Sequence, residues 1–445
     1  MELTRNGYKI AKSSPEIPAL KKTLTVKPYI PAVFVRPQYV KPYIVYHETE
    51  NFLYVPKRFG IDTFGIPSTI RYTATKTDPS HWTFRGELRA AQMPVVDSFL
   101  KPTPRDGLLC LQTGGGKTVC ALYIAAQLGL KTLIVVHNTF LKDQWEERIR
   151  NFLPNARIGR IQGEVTDVDN KDVIIAMIQS ISMKEYPPEV FHGIGLTIVD
   201  ECHHIASEVF VRAFPKITAQ HMLGLSATPD RKDGLMYVIE WFMGQILYIS
   251  ESGDKKDEDV KVEVYQHNPD DSNFQTIVHN SQGVMSTAHM INKLVEYTPR
   301  TTLLVSIIQD ILSSAPERQI LVLSDRVQHC KDILAELKSD DACILAQTVP
   351  AAQRAEWCST KKVLIATYSM CKEGFDVATL NTLVMATPRP DVDQIVGRIL
   401  RTEKTKRTIS PLIIDIVDTT FRRQFQQRLI LYHKRSYTVD IMTID

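Results

Sequence analysis

Apolar and polar positions along this chain follow two alternating patterns. Short unbroken apolar runs, bounded by Gly, Pro or charged residues, read as strands buried on both faces. They are GLLCLQ (107–112), KTLIVVH (131–137), DVIIAMIQSI (172–181), GLTIVDE (195–201) and HMLGLSATP (221–229). Between them the apolar residues recur at helical spacing, in LRAAQMPVVDSFL (88–100), VCALYIAAQLGL (119–130) and FLKDQWEERIRNF (140–152). Strands alternating with helices predict a doubly wound parallel sheet. A polar, highly charged stretch, SGDKKDED (252–259), interrupts the pattern. It resumes with RQILVLSD (318–325), QHCKDILAEL (328–337), KKVLIATYS (361–369), LNTLVMATP (380–388) and SPLIIDIVD (410–418). That is a second α/β unit of similar size.

Before residue 85 the pattern is different. In residues 24–60, LTVKPYIPAVFVRPQYVKPYIVYHETENFLYVPKRFG, β-favouring runs are broken by prolines, which suits edge strands and hairpins. YIVYHETENFLYVP (43–56) reads as two strands around a polar turn. The expected organisation is therefore α/β with three parts. These are a small β-rich accessory domain at 1–85, a parallel-sheet domain at 86–250 and another at 251–445.

Composition narrows the class. A chain of 445 residues suits two or three domains. Hydrophobic residues at 44% and charged residues at 23% are ordinary for a soluble globular protein. No apolar run approaches the roughly 20 residues that span a bilayer. The start, MELTRNG, has no apolar signal core, so a cytoplasmic location without a membrane partner is expected. Seven scattered cysteines with no Cys-x-x-Cys pair suit reduced thiols rather than a disulfide framework. The net charge of +3 is uneven: residues 1–60 hold ten Lys/Arg against four Asp/Glu. Such asymmetry fits a nucleic-acid partner or simply a solvated basic surface.

The candidate chemistry sits at the ends of predicted strands. LQTGGGKT (111–118) follows one strand and opens a helix. Gly116, Lys117 and Thr118 match the phosphate-loop pattern G-x-x-x-x-G-K-[ST], but Leu111 stands where its first glycine belongs. Gly114, Gly115 and Gly116 let backbone N–H groups turn toward phosphate oxygens at the positive end of the following helix. Lys117 is suited to the β/γ-phosphates and the Thr118 hydroxyl to Mg²⁺. Further on, Asp200, Glu201, Cys202, His203 and His204 form five potential metal ligands in a row. Structural zinc draws on spaced ligand pairs, because adjacent side chains cannot all converge on one ion. The other adjacent pair, His329 and Cys330, lies in the second α/β unit. Mg²⁺ held by Asp200 beside a phosphate loop, with Glu201 activating water, fits better.

Together these segments resemble the superfamily 2 DEAD/H-box helicases. Asp200-Glu201-Cys202-His203 is similar to the DEAD/H box. LRAAQ (88–92) resembles the motif upstream of the phosphate loop, and GLSATPDRKDG (224–234) the Ser-Ala-Thr motif. EGFDV (373–377) resembles motif V, and QIVGRILR (394–401) motif VI with its two arginines. SATPDRKDG, LVLSDRVQHC and QIVGRILR look most like the group containing XPB, UvsW and RecG, especially compact tailed-phage and viral members.

The resemblance implies two tandem RecA-like domains, ATP and Mg²⁺ as cofactors, and a monomeric, DNA-stimulated ATP-dependent helicase. For a phage protein the compartment would be the host cytoplasm. It implies a nucleotide set of Arg89, Gln92 at the adenine edge, Thr113, Gly114, Gly115, Gly116, Lys117, Thr118, Asp200, Gly374 and Asp376. Thr118 and Asp200 would hold the Mg²⁺. Glu201 and Lys117 would act catalytically with Gln394, Arg398 and Arg401, the arginines as fingers on the γ-phosphate. At i, i+4 and i+7, those three residues would share one helical face. ATP is expected between the two α/β domains, at the C-terminal ends of the first sheet's strands, where it would favour closure.

Ser226, Thr228 and His203 would couple ATP state to the nucleic-acid surface. Gln179, Ser180 and Thr367 would touch a nucleic-acid backbone, held mainly through phosphates because a translocase cannot depend on sequence. The accessory domain is a candidate DNA-binding element. The tail FRRQFQQRLILYHKR (421–435) either adds electrostatic grip or packs as an amphipathic helix. The expected activity is unwinding or remodelling of branched DNA, such as forks and Holliday junctions, in replication, recombination or repair. The alternative is an RNA helicase or transcript-release ATPase of the same superfamily.

Overall fold

The computed structural model describes residues 1–29, 40–71, 74–103, 105–112, 114–204, 211–228, 231, 233–250, 256–281, 283, 285–346, 348–372, 377, 379–402 and 404–444. The expected nucleotide residues Thr113, Gly374 and Asp376 lie outside them. The chain divides into two compact units, Met1–Glu251 and Ser252–Asp445.

The first unit opens with short strands: β1 (Glu2–Thr4), β2 (Gly7–Ala11), β3 (Thr25–Val26), β4 (Tyr43–Ile44), β5 (His47–Glu48), β6 (Phe52–Val55) and β7 (Thr69–Ile70). Five of them make a sheet in the order β5-β6-β2-β1-β7, and β3 pairs with β4. The hairpin predicted in 43–56 is present, with His47 opposite Tyr54 and Glu48 opposite Leu53.

The larger sheet of this unit contains β8 (Gly107–Cys110), β9 (Thr132–Val136), β10 (Ile158–Gln162), β11 (Val165–Asp167), β12 (Val173–Met177), β13 (Leu196–Val199), β14 (His221–Ser226) and β15 (Ile246–Ile249). Their order is β11-β10-β12-β9-β13-β14-β8-β15, and only the β10–β11 pair is antiparallel. Every residue of β8, β9, β12 and β13 is buried, as unbroken apolar runs covered on both faces require.

One ion pair locks the N-terminal region to this sheet. Lys57, in the helix Lys57–Phe64, is 4% exposed and sits 2.8 Å from Asp106. Its ammonium also donates to the carbonyls of Ala219 and Gln220, at 3.0 and 2.7 Å. Asp106 directly precedes β8, and its other oxygen accepts the Met222 N–H in β14 at 2.9 Å. Nearby, Phe59 meets Trp241 edge to face with centroids 5.2 Å apart.

The second unit is one all-parallel sheet of seven strands. They are β16 (Lys261–His267), β17 (Ile320–Ser324), β18 (Ala342–Leu345), β19 (Val363–Thr367), β20 (Thr382–Met385), β21 (Leu412–Asp418) and β22 (Thr438–Ile444), in the order β18-β19-β17-β20-β21-β16-β22. Two tandem RecA-like sheets with a small β-rich N-terminal element are thus the architecture. The tail forms the helix Arg422–Lys434, whose Phe425, Arg428 and Tyr432 are buried. Arg428 grips Asp415 of β21 through two bonds of 2.8 and 2.7 Å, so this helix packs on its sheet.

Two expectations need correction. DVIIAMIQSI is not one strand: β12 stops at Met177, and Ile178–Met183 is helical. Apolar periodicity cannot separate a buried strand from a short buried helix, and here the helix follows directly after Met177. QIVGRILR is not one helix either. Helix Asp393–Val396 ends at Gly397, and the chain goes on in i→i+3 bonds from Arg398 N to Ile395 O and Ile399 N to Val396 O. Glycine is a poor helix interior, and after Gly397 the regular helix gives way to tighter winding.

Candidate nucleotide site

The site is built on strand ends of the first unit. After β8 the chain enters the glycine loop, and helix Lys117–Leu128 begins with Gly116 as its N-cap. Gly114 and Gly116 hold φ values of +82° and +87°, a region that favours glycine. At Gly116 a Cβ would also lie 2.0 Å from the Gln92 side-chain nitrogen. Leu111, at the position of the missing first glycine, is 3% exposed, and its N–H bonds to the Ser226 carbonyl. It belongs to the core, which explains why an apolar residue is tolerated there.

Arg89 and Gln92 reach this loop from the segment before helix Met93–Leu100. Arg89 donates to the Gly114 carbonyl at 3.3 Å, and Gln92 lies 3.5 Å from the Gly115 carbonyl. The Gln92 side-chain oxygen accepts the Arg89 N–H at 2.9 Å. Both side chains therefore lie over the glycine loop.

Across the sheet, β13 ends at Val199 and delivers Asp200 and Glu201. Lys117 Nζ is 2.7 Å from Glu201 Oε1. Glu201 has a φ of +46°, unusual for a non-glycine residue and a mark of a locally imposed turn. Asp200 is buried, with Oδ2 accepting the Trp145 indole N–H at 2.8 Å and Oδ1 accepting the Glu201 N–H at 2.9 Å. Burial pushes its carboxyl above the usual range, the Glu201 charge adds to this, and Lys117 opposes it. Thr118 follows Lys117 in the first turn of the same helix.

Cys202 and His203 of the acidic-histidine run point to different partners. Cys202 is fully buried, and a Cβ on Gly224 would lie 3.2 Å from its sulfur. His203 Nδ1 is 3.1 Å from Ser226 Oγ and 3.3 Å from Glu201 Oε2, and burial lowers its pKa. The His204 side chain is outside the described residues. Among those residues, no three His, Cys, Asp or Glu side chains group as a metal cluster. The Ser226 hydroxyl also donates to the Thr228 carbonyl at 2.6 Å and accepts the Thr228 N–H at 3.1 Å. It therefore closes the turn after β14 while touching His203.

The donor set fits a Mg²⁺-nucleotide. Two carboxylates face one ammonium and leave a negative charge in a mostly buried place, and left-handed glycines keep the loop free of side chains. A divalent cation meets the first need, and phosphate oxygens meet the second.

The remaining predicted residues are placed as follows. Gln179 donates to the His137 carbonyl at 2.6 Å, and Ser180 Oγ accepts the Gly163 N–H at 2.9 Å, both at the start of helix Ile178–Met183. In the second unit Thr367 ends β19 and shares a 3.0 Å hydroxyl contact with Ser369. Gln394 is in helix Asp393–Val396, Arg398 is 7% exposed, and the Arg398 and Arg401 charges both act on the buried thiol of Cys371.

Sequence reasoning missed Trp145 and a buried polar cluster of the second unit. In that cluster Arg300, fully buried, bonds Asp418 of β21 at 2.9 and 3.1 Å, and His267 of β16 reaches the same carboxylate at 2.8 Å. The signals were weak but present. Trp145 falls on the buried face of its helix with Leu141 and Ile149, and Asp415 and Asp418 interrupt an otherwise apolar strand.

A family described as "Type III restriction enzyme, res subunit" matches residues 85–231, which include the glycine loop and the Asp200–Glu201 strand end. A mimivirus protein, "Putative ATP-dependent RNA helicase" of Acanthamoeba polyphaga mimivirus, is 31% identical over 457 residues, covering 98% of this chain and 86% of its own length. This chain belongs to the superfamily 2 helicases and is related to viral ATP-dependent members. The helicase is also 26% identical to "Putative helicase" of Invertebrate iridescent virus 6, over 86% of this chain and 88% of that protein. In fold it is similar to S. cerevisiae Dbp5 bound to RNA and ADP BeF3, with a TM-score of 0.54, 14% identity, and 80% and 89% of the two chains covered. The Pyrococcus furiosus Hef helicase domain gives 0.51, with 18% identity over 78% and 98%. The helicase is an ATP-dependent enzyme acting on nucleic acid. Among the described residues no helix is long and apolar enough to cross a membrane.

Proposed function

We propose that this helicase couples ATP hydrolysis to movement along RNA. The observation that carries an ATP-driven motor is the convergence of Lys117, Asp200 and Glu201 beside the glycine loop. The RNA reading is favoured by the near full-length mimivirus relative, whose name is that of an RNA helicase. The runner-up is a branched-DNA remodelling enzyme of the XPB, UvsW and RecG group, supported by the wording of its SATPDRKDG and QIVGRILR motifs.

ATP with Mg²⁺ would supply the transferable phosphoryl group and a positive charge to offset that of the phosphates. Glycines 114–116 would present N–H donors, Lys117 would neutralise phosphate charge, and Thr118 and Asp200 would hold the cation. Thr113, Gly374 and Asp376 belong to the same nucleotide set. Glu201 leaves Lys117 and takes the proton of the attacking water. By resemblance, Arg398 and Arg401 would act as fingers on the γ-phosphate, a class of contact worth about 10³ to 10⁵ in rate, and Gln394 would act with them. Arg89 and Gln92 contact the nucleotide on leaving the glycine loop. His203, bonded to Ser226, relays the state of Glu201 to the turn through Thr228. Gln179, Ser180 and Thr367 contact the strand backbone.

The test is ATPase stimulation by single-stranded RNA, duplex RNA, forked DNA and four-way-junction DNA at one fixed salt concentration. Stimulation by RNA with little from DNA is expected, and strong stimulation by branched DNA alone overturns the RNA reading. Glu201→Gln should bind ADP as wild type does and lose about 10² to 10⁴ in turnover. Undiminished turnover would remove Glu201 as the base.

A further inference from the structure

Within the nucleotide pocket, the buried contact between Trp145 and Asp200 takes no part in holding phosphate. Trp145 is 1% exposed and Asp200 is 6% exposed, so both are taken out of water. Their bond, indole Nε1–H to Asp200 Oδ2, measures 2.8 Å and joins residues 55 apart in sequence. Trp145 is held by its own helix, Thr139–Phe152, which Asn138 caps by accepting the Leu141 N–H at 2.8 Å. On the Asp200 side the backbone is fixed as well, with its N–H on the Val135 carbonyl of β9.

A carboxylate offers about four lone-pair directions. Two are taken here, one by Trp145 on Oδ2 and one by the Glu201 N–H on Oδ1. With each oxygen tied once, the plane of the group is set, and the free directions are fixed with it. A buried indole N–H needs an acceptor, and here that acceptor is the carboxylate proposed for Mg²⁺. A phenylalanine would fill the space without orienting that carboxylate.

We propose that Trp145 is a positioning residue for the divalent cation: its indole N–H fixes the orientation of the Asp200 carboxylate, the group that would hold the nucleotide-bound metal. The inference rests on the reading of this pocket as a Mg²⁺-nucleotide site. Outer partners that orient a metal-holding carboxylate are typically worth 10- to 100-fold in metal affinity.

The experiment uses the full chain and Mn²⁺ as the probe, with free Mn²⁺ read by electron paramagnetic resonance in the presence of saturating ADP. Trp145→Phe should weaken Mn²⁺ binding about tenfold or more. Its ADP affinity in EDTA, read by a fluorescent ADP analogue, should match wild type. Ile149→Val, a core change on the same buried helix face, should leave Mn²⁺ affinity unchanged. Circular dichroism at the assay temperature confirms that each variant is folded. In steady state, Trp145→Phe should need about tenfold more Mg²⁺ for half-maximal ATPase and recover most of its kcat at high Mg²⁺. Wild-type Mn²⁺ affinity in Trp145→Phe, or equal weakening in Ile149→Val, overturns the proposal and leaves Trp145 as packing alone. If wild type itself binds neither ADP nor Mn²⁺, the underlying reading of the site fails instead, which is a distinct result.

Discussion

The Lys57–Asp106 pair gives a sharp test of whether the N-terminal region is an integral part of the first unit. Lys57 is 4% exposed and has three acceptors: Asp106 at 2.8 Å and two carbonyls at 3.0 and 2.7 Å. Burial lowers its pKa, and the charge of Asp106 works against that shift. Asp106→Asn keeps an oxygen for the Met222 N–H but removes the countercharge. A buried ammonium left with carbonyls alone should cost about 3–5 kcal/mol. That is roughly 10² to 10³·⁵ in the folding equilibrium at about 1.4 kcal/mol per decade. Lys57→Met should cost a similar amount, since it strands the carboxylate. The double variant removes both charges and should cost clearly less than the two single costs added, a coupling of at least about 2 kcal/mol. Guanidinium unfolding followed by tryptophan fluorescence reads this unit well, because Trp82, Trp145 and Trp241 lie in it and only Trp357 lies in the other. A cost for Asp106→Asn below about 1 kcal/mol, or strict additivity, would show that the pair is solvated and the anchor is not real.

Two further outcomes follow from single positions. His329 is held between the Ser324 hydroxyl at 3.0 Å and Thr301, and its pKa is pushed down to about 3 by burial and then by the Arg300 charge. An unfolded chain takes up this proton near pH 6.5, so the contribution of the neutral ring is intact above that pH. It drains away as pH falls toward 3, by up to about 1.4 kcal/mol per unit. Between pH 6.5 and 5 the loss should reach about 2 kcal/mol in wild type and be absent in His329→Gln, read by hydrogen exchange of peptides covering Ile320–Ser324 in urea. Equal pH slopes in the two proteins would refute it. Gly116→Ala should lower ADP affinity at least about tenfold, because the new Cβ displaces Gln92 and a left-handed alanine costs about 1–2 kcal/mol. Wild-type affinity by titration calorimetry would show that the loop does not need this conformation.

Much of the fold was legible in the chain because burial is written locally. Unbroken runs such as TLIVV and VIIAM became fully buried parallel strands, and GGGKT became a strand-to-helix loop with left-handed glycines. Strands at the sheet edges or next to them were harder. β10, β11 and β18 carry exposed or half-buried residues, so their apolar signal is diluted. The helical reading of QIVGRILR failed at Gly397, where residue identity outweighed spacing.

The sequence by itself determined the alternating architecture, the acidic strand end and the phosphate-loop chemistry, because each depends on neighbours a few residues apart. Tertiary structure alone decided which buried polar groups meet. It paired Trp145 with Asp200, Lys57 with Asp106, and Arg300 with Asp418 across 118 residues. It also turned Leu111 into core and sent Cys202 and His203 to different partners. Periodicity records how deeply a side chain lies but not what it faces. A buried donor must find an acceptor, and only the folded chain brings the two within reach.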